Sequence, residues 1–276
     1  MKIINTRRYI LGMAVGLPLI GLLSITSEAQ SRPRANQSQT KRYVVKKPDL
    51  SEIQRATLDP NSDYYYPKLV AKYEKKDTTM TPNEFRYYYL GYMFQEDFDP
   101  YRTSPYTDKT DRLRSKTKHT KSEMDTIENY ATLALADNPF DLRQMSFLVH
   151  VLKEQKKDMR AKLWEYRLEN LLGAIMSTGT GKDIDNPWYV IYPMHEYDVA
   201  QLLGYEAVDV QYPRDGFDYL IVEPDPTDKR ARDKSAKGFY YNVVIPQEQY
   251  ELKHGDANSD ENYQDDDINT DYDLAE

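Results

Sequence analysis

The spacing of apolar residues predicts helices in the first part of the chain body and strands in the second. Four apolar residues follow one another at spacings of four, three and four, which places them on one helix face: Trp164, Leu168, Leu171 and Ile175. Capping boxes at 81–84 and 120–123 predict earlier helix starts, because in each a threonine precedes a glutamate by three residues.

Two further helices follow the second capping box. We expect Asn138 to cap a helix that runs to about Gln155, and Asp158 to cap the helix after it. Short connections make successive helices neighbours, as in helical hairpins of the tetratricopeptide (TPR) type. The segment 134–142 has no second copy one repeat length away, so we predict TPR-like hairpins and no repeat array.

β-branched and aromatic residues replace the helical pattern after Gly204. Segments 205–213, 217–224 and 238–246 read as three antiparallel strands, and 188–192 is a possible fourth. Helices followed by strands predict an α+β fold, with a helical N-terminal layer and a small C-terminal antiparallel sheet.

The first residues have the pattern of a secretory signal peptide, which we assign to 1–29. Lys2, Arg7 and Arg8 precede the apolar run 10–25, and 27–29 is a small-x-small cleavage site. The run is shorter than the ~20 residues that span a bilayer, so we expect no transmembrane anchor after cleavage. Arg7 and Arg8 also fit a twin-arginine signal. We therefore expect an exported protein, periplasmic or secreted.

Charge divides the rest of the chain into three regions. Residues 30–48 carry six basic side chains and no acid, whereas 251–276 carry ten acids and one lysine. We predict a disordered basic arm, a single domain over 49–250 and a disordered acidic tail. The net charge of -8 argues against nucleic-acid binding, and the absence of cysteine excludes disulfides and thiolate metal sites.

Three long segments resemble a known family. Residues 64–105, 134–182 and 193–205 are similar to uncharacterised bacterial secreted proteins grouped as domain of unknown function 4919. The resemblance covers roughly 49–250 and implies a signal peptide, one domain and no assigned activity. It transfers no catalytic residue, and we expect no cofactor.

The segment around Lys182 has glycines of the kind that hold phosphate. A P-loop requires GxxxxGK[ST], but Met176 stands in place of its first glycine and Asp183 in place of the hydroxyl residue. The segment also follows a helix, so no helix N-terminus points at a bound anion. We therefore interpret this segment as the end of a helix followed by a loop. Lys182 is kept as a ligand-binding candidate.

His195 and Glu196 are the candidate catalytic pair. A zincin helix requires HExxH, and Val199 occupies the second histidine position. In an enzyme, His195 would be the general base, oriented by Glu196 or a tyrosine. The alternative is a helix start, where Glu196 complements the helix dipole and His195 packs or caps.

The acidic tail and the tyrosines are the remaining candidates. Aspartates and asparagines of the tail match EF-hand spacing, although Glu261 replaces the required glycine; the weak metal ligands are Asp256, Asn258, Asp260 and Asp267.

The chain has 25 tyrosines and 7 phenylalanines. Three adjacent rings, at 64–66 and again at 87–89, cannot share one helix face, so we expect some near solvent. A tyrosine surface suits ligand recognition: Tyr64, Tyr65, Tyr88 and Tyr92.

These observations favour a non-enzymatic binding module for a peptide, an envelope protein or a glycan. A hydrolase or transferase with a site around His195 and Glu196 is the alternative, and a structural role in envelope assembly is the third. An enzyme would place His195 beside a cleft, a binding module would show a concave surface lined with tyrosines, and a structural protein would expose a large apolar patch.

Overall fold

The computed structural model describes residues 44–75, 78–116 and 118–254. The predicted signal peptide, most of the basic arm and most of the acidic tail lie outside the described residues. At the end of the predicted arm, the Lys46 N–H donates to the Ser177 carbonyl at 2.8 Å. No helix in the described ranges combines the length and apolarity needed to cross a bilayer.

The described chain contains nine α-helices, a short 3-10 helix and four strands. The helices are α1 (Leu50–Leu58), α2 (Tyr66–Glu74), α3 (Pro82–Gly91), α4 (Asp108–Arg114), α5 (Lys121–Asp137), α6 (Leu142–Glu154), α7 (Asp158–Met176), α8 (Met194–Leu202) and α9 (Val244–His254). The 3-10 helix is Tyr92–Phe94, and the strands are β1 (Trp188–Tyr189), β2 (Tyr205–Arg214), β3 (Phe217–Pro224) and β4 (Gly238–Asn242).

Both predicted capping boxes are confirmed. The Thr81 hydroxyl accepts from the Glu84 N–H at 3.2 Å, and the Glu84 carboxylate accepts from the Thr81 N–H at 2.7 Å. Thr120 and Glu123 repeat this exchange at the start of α5. Each box satisfies two backbone donors that the first helical turn leaves free, which fixes where the helix begins.

The predicted caps of the next two helices are wrong. Asn138 ends α5, and its side-chain oxygen accepts from the Phe140 N–H in a local turn at 3.1 Å. The cap of α6 is Asp141, whose carboxylate accepts from the Gln144 N–H at 2.9 Å. Asp158 is the first residue of α7 and follows the cap position.

The fold is α+β, with the helical layer preceding the sheet along the chain. Helix α6 packs against both α5 and α7, and α3 packs against α7, α1 and α2. The packing of successive helices agrees with the expected hairpins, whereas the TPR likeness stays a prediction.

The sheet has the order β1-β4-β3-β2 and is mixed, so the antiparallel prediction is only partly right. Strands β2, β3 and β4 are antiparallel, but β1 pairs with β4 in parallel and covers only two residues. Strand β4 ends earlier than predicted because the Asn242 side chain accepts from the Val244 N–H, where α9 begins. Helix α9 continues past the boundary expected at 250.

The turn between β2 and β3 depends on Gly216. Its φ is +72°, and a Cβ there would lie 2.3 Å from Val244 Cγ2 and 3.1 Å from Val244 Cα. Left-handed backbone costs other residues about 1–2 kcal/mol. We expect Gly216→Ala to lower the free energy of unfolding by at least that amount in urea titrations, and the exposed Asp215→Ala to have a smaller effect. Equal effects would contradict this role of Gly216.

Candidate functional site

His195 lies in the core, in the first turn of α8. Only 1% of the residue is exposed. Its Nδ1 is 2.7 Å from the Tyr89 hydroxyl, and its Nε2 is 2.9 Å from the Phe140 carbonyl. The imidazole therefore connects α3, α8 and the loop that precedes α6.

These partners fix the protonation of the ring. A carbonyl only accepts, so Nε2 carries the proton and donates to Phe140, while Nδ1 accepts from the Tyr89 O–H. The Tyr89 oxygen in turn accepts from the Ile191 N–H at 3.1 Å. Burial lowers the pKa of His195 to about 3. A neutral ring with both nitrogens occupied favours the packing interpretation over the general-base hypothesis.

Glu196 is equally buried and has a different environment. It is 1% exposed, and its Oε1 has no hydrogen-bond partner in the described part of the chain. Burial, together with the neighbouring carboxylate of Asp218 on β3, raises its pKa to about 9. Glu196 is therefore a neutral acid at pH 7, paired with a half-buried Asp218 that sequence reasoning missed.

Lys182 lies on the exposed loop after α7, and the two amides that precede it already have partners. The Thr180 and Gly181 N–H groups donate to the Asn186 carbonyl at 3.0 and 2.9 Å. The Gly181 carbonyl accepts from the Tyr240 N–H of β4 at 2.8 Å. The loop is thus fastened to the sheet, while His195 is enclosed among helices.

The candidate tyrosines do not form one surface. Tyr88 and Tyr92 are 2% and 6% exposed and pack against Phe140 in the core. Tyr64 and Tyr65 are half-buried, and the Tyr64 ring stacks on Tyr87 at 3.9 Å.

The prediction that some rings of 87–89 lie near solvent is wrong. All three are buried because other helices cover more than one side of α3. Tyr89 points toward His195, and Tyr87 points toward α1, where it donates to Glu52.

The metal-ligand candidates Asp256, Asn258, Asp260 and Asp267 lie outside the described residues. Within the described ranges, no group of three or more histidine, aspartate and glutamate side chains is placed to hold a metal ion.

A cleft of about 770 Å³ lies between two groups of elements that sequence reasoning did not bring together. One wall comes from α4 and α6, and the other comes from α8, the start of β2 and the segment after β3. The ionisable residues of the lining are Asp111, Arg112, Arg114, Arg143, His150, Asp198, Glu206, Asp225, Asp228 and Arg230.

The α4–α6 wall is basic. It carries three arginines against Asp111, and the Arg114 guanidinium contacts Asp111 at 2.5 Å. Arg112 is exposed and makes no ion pair with any described residue. His150 also lines this wall, and burial lowers its pKa, which favours the neutral ring. The wall therefore presents Arg112 as a cation available to a ligand.

The opposite wall is acidic, with four carboxylates against Arg230. Arg230 is engaged by Asp228 at 2.7 Å. Asp198 is 4% exposed, and burial raises its pKa to about 6 although Arg143 opposes the shift. Arg143 reaches across the cleft and donates to Asp198 from two nitrogens, at 3.0 and 2.7 Å. Glu206 makes no ion pair in the described part of the chain.

Opposed charges on two walls give the cleft a direction. A ligand with an anionic and a cationic end fits it in one orientation, because the reverse orientation juxtaposes like charges. The lining residues span 111–230 without a local motif, so no sequence signal marked the site.

A search of protein families matches residues 51–252 to the family described as domain of unknown function (DUF4919). The chain belongs to this family. The matched range includes the whole lining of the cleft and His195. No curated protein and no solved structure matches the DUF4919 chain.

Tyr89→Phe tests the hydrogen bonds of His195. The change leaves His195 Nδ1 and the Ile191 N–H without a partner, and each unpaired buried group costs about 1–3 kcal/mol. We expect a loss of about 2–4 kcal/mol in the free energy of unfolding, measured by urea titration. Tyr87→Phe is the control, because its partner Glu52 is exposed and water replaces the lost bond. Equal losses would refute the assigned network.

Glu196→Gln tests the buried acid. The pKa of Glu196 is raised in the folded protein, so its protonation stabilises the fold below pH 4.5, and this contribution is lost as the pH rises toward 9. The free energy of unfolding of the natural protein should fall relative to Glu196→Gln between pH 5 and 8, by at most about 1.4 kcal/mol per pH unit. Parallel stability curves would show that the pKa of Glu196 is the same in the folded and the unfolded protein.

Proposed function

We propose that this DUF4919 protein is a non-enzymatic binding module whose cleft takes a short peptide. The opposed charges of the two walls carry the proposal. A peptide with free ends has a carboxylate and an ammonium group a few residues apart, which complements a basic wall facing an acidic one. A neutral glycan would leave these charges unpaired.

Arg112 is the group best placed to receive the carboxylate. It is exposed at the cleft and makes no ion pair with the described residues, so binding breaks no existing contact. A guanidinium donates two parallel hydrogen bonds to one carboxylate, which fixes orientation as well as position.

The acidic wall suits the ammonium group. Glu206 is half-buried and unpaired among the described residues, and Asp225 and Asp228 lie on the same wall. Tyr197 also lines the cleft and is 40% exposed, so its ring offers a face to a cation.

Catalysis has less support. The His195 nitrogens are occupied, and neither His195 nor Glu196 is among the residues that line the cleft. Ser115 and Ser146 line it, but no hydrogen bond in the described chain joins either one to His150. The hydrolase alternative would need a route from solvent to the Glu196–Asp218 pair.

The place of action rests on the sequence alone. The leader at 1–29 supports a role outside the cytoplasm, where peptides and envelope proteins are available as ligands. The exposed large apolar residues of the described chain are dispersed from Val44 to Leu252, which gives little support to a structural role.

A library of random pentapeptides with free ends tests the proposal. We expect the protein to retain members of the library, and the strongest binder to lose about tenfold in affinity, measured by calorimetry, with Arg112→Gln or Glu206→Gln. Blocking both peptide ends should have a similar effect. Arg55→Gln is the control, because Arg55 is exposed on α1, away from the cleft lining.

Two results would overturn the proposal. One is a library from which nothing binds. The other is a binder whose affinity is the same for Arg112→Gln, Glu206→Gln and the control.

A further inference from the structure

The free edge of β2 opens into the cleft. The order β1-β4-β3-β2 leaves β2 with a neighbour on one side only. Tyr205, Glu206 and Ala207 all line the cleft, although successive residues of a strand point to opposite faces of a sheet. A cleft that meets the edge of the strand accounts for this contact with three consecutive residues.

The register of the sheet shows which backbone groups face that edge. The Val222 N–H donates to the Lys237 carbonyl at 3.0 Å, so the backbone groups of Val222 point away from β2. Ala207 is directly opposite Val222 and is therefore in a non-hydrogen-bonded pair. Its N–H and C=O point outward to the cleft, as do those of Tyr205 two residues earlier.

These outward groups have no partner in the described part of the chain. Among residues 44–254 as far as they are described, no backbone or side-chain hydrogen bond involves the main-chain N–H or C=O of Tyr205 or Ala207 on the free side. Farther along, the register shifts after Ala207, and the Val210 N–H is taken by the Asp209 carboxylate at 2.9 Å. Bulges and charges of this kind protect sheet edges from unwanted pairing. The part of the β2 edge that is protected from pairing thus begins after Ala207, the last residue of β2 that lines the cleft.

We propose that an extended peptide occupies the cleft as an additional strand on β2, exchanging main-chain hydrogen bonds with Tyr205 and Ala207. The inference rests on the proposed function and specifies how the peptide binds. Strand addition supplies affinity that does not depend on the peptide sequence, while the charged walls set its direction. The two outward residues fit a short segment, because a strand presents only every second residue to its neighbour.

Backbone methylation of the peptide tests this geometry. The strongest binder from the pentapeptide library is resynthesised with one N-methyl group at each amide in turn. In an added strand, alternate N–H groups point to β2 and the others point away. We expect at least a tenfold loss of affinity at amides of one parity and less than a twofold change at those of the other.

Ala207→Pro tests the same contact from the protein side. Proline removes the outward N–H and leaves the bonds from β2 to β3 intact, a position where edge strands tolerate it. We expect the affinity for the library peptide to fall about tenfold. Val210→Pro is the control: it removes an N–H of the same strand that the Asp209 carboxylate already takes, outside the cleft lining, and should bind as the natural protein does. Thermal unfolding of both variants shows whether the fold is kept.

The outcomes separate the two proposals. If affinity depends on Arg112 but N-methylation shows no alternation, the peptide binds in the cleft without joining β2, and strand addition is overturned. If alternation is present, strand addition is supported even when Ala207→Pro does not fold. If no peptide binds, both proposals fail.

Discussion

The rest of the structure depends on the two hydrogen bonds that the buried imidazole of His195 makes. Burying a polar ring is costly unless its nitrogens are paired, and here Tyr89 of α3 and the Phe140 carbonyl before α6 pair both. The same tyrosine oxygen accepts the Ile191 N–H, just before α8. One hydrogen-bonded chain thus joins the helical layer to the segment that leads into the sheet.

The position of α8 determines the cleft. With His195 fixed in the core, Asp198 lies one turn later at the cleft, where Arg143 of α6 engages it. The helix then ends at Leu202, Gly204 makes the turn with a positive φ, and β2 starts with its free edge beside the acidic wall. A residue that resembled a catalytic base in the sequence therefore helps to place the elements that line the cleft.

Patterns among neighbouring residues predicted much of the fold. They did not predict contacts between residues that are far apart in the sequence. The capping boxes and three strands depend on neighbouring residues, so the sequence revealed them. The parallel pairing of β1 depends on Tyr241 and Asn242, more than fifty residues away. Asn138 resembled a cap because its side chain does bond to backbone, but to a turn. The sequence did not predict the cleft, because its charged residues are far apart along the chain and come together only in the folded protein.

Chemical-shift mapping of the ¹⁵N-labelled full chain with the pooled pentapeptide library tests the central claim most directly. The account predicts that the largest shifts fall on the amides of Tyr205 to Ala207 and on the Arg112 side chain, with small shifts around His195. Shifts concentrated instead at Tyr64 and the lysines of α2, or around Glu196 and Asp218, would contradict it and place recognition elsewhere on the protein.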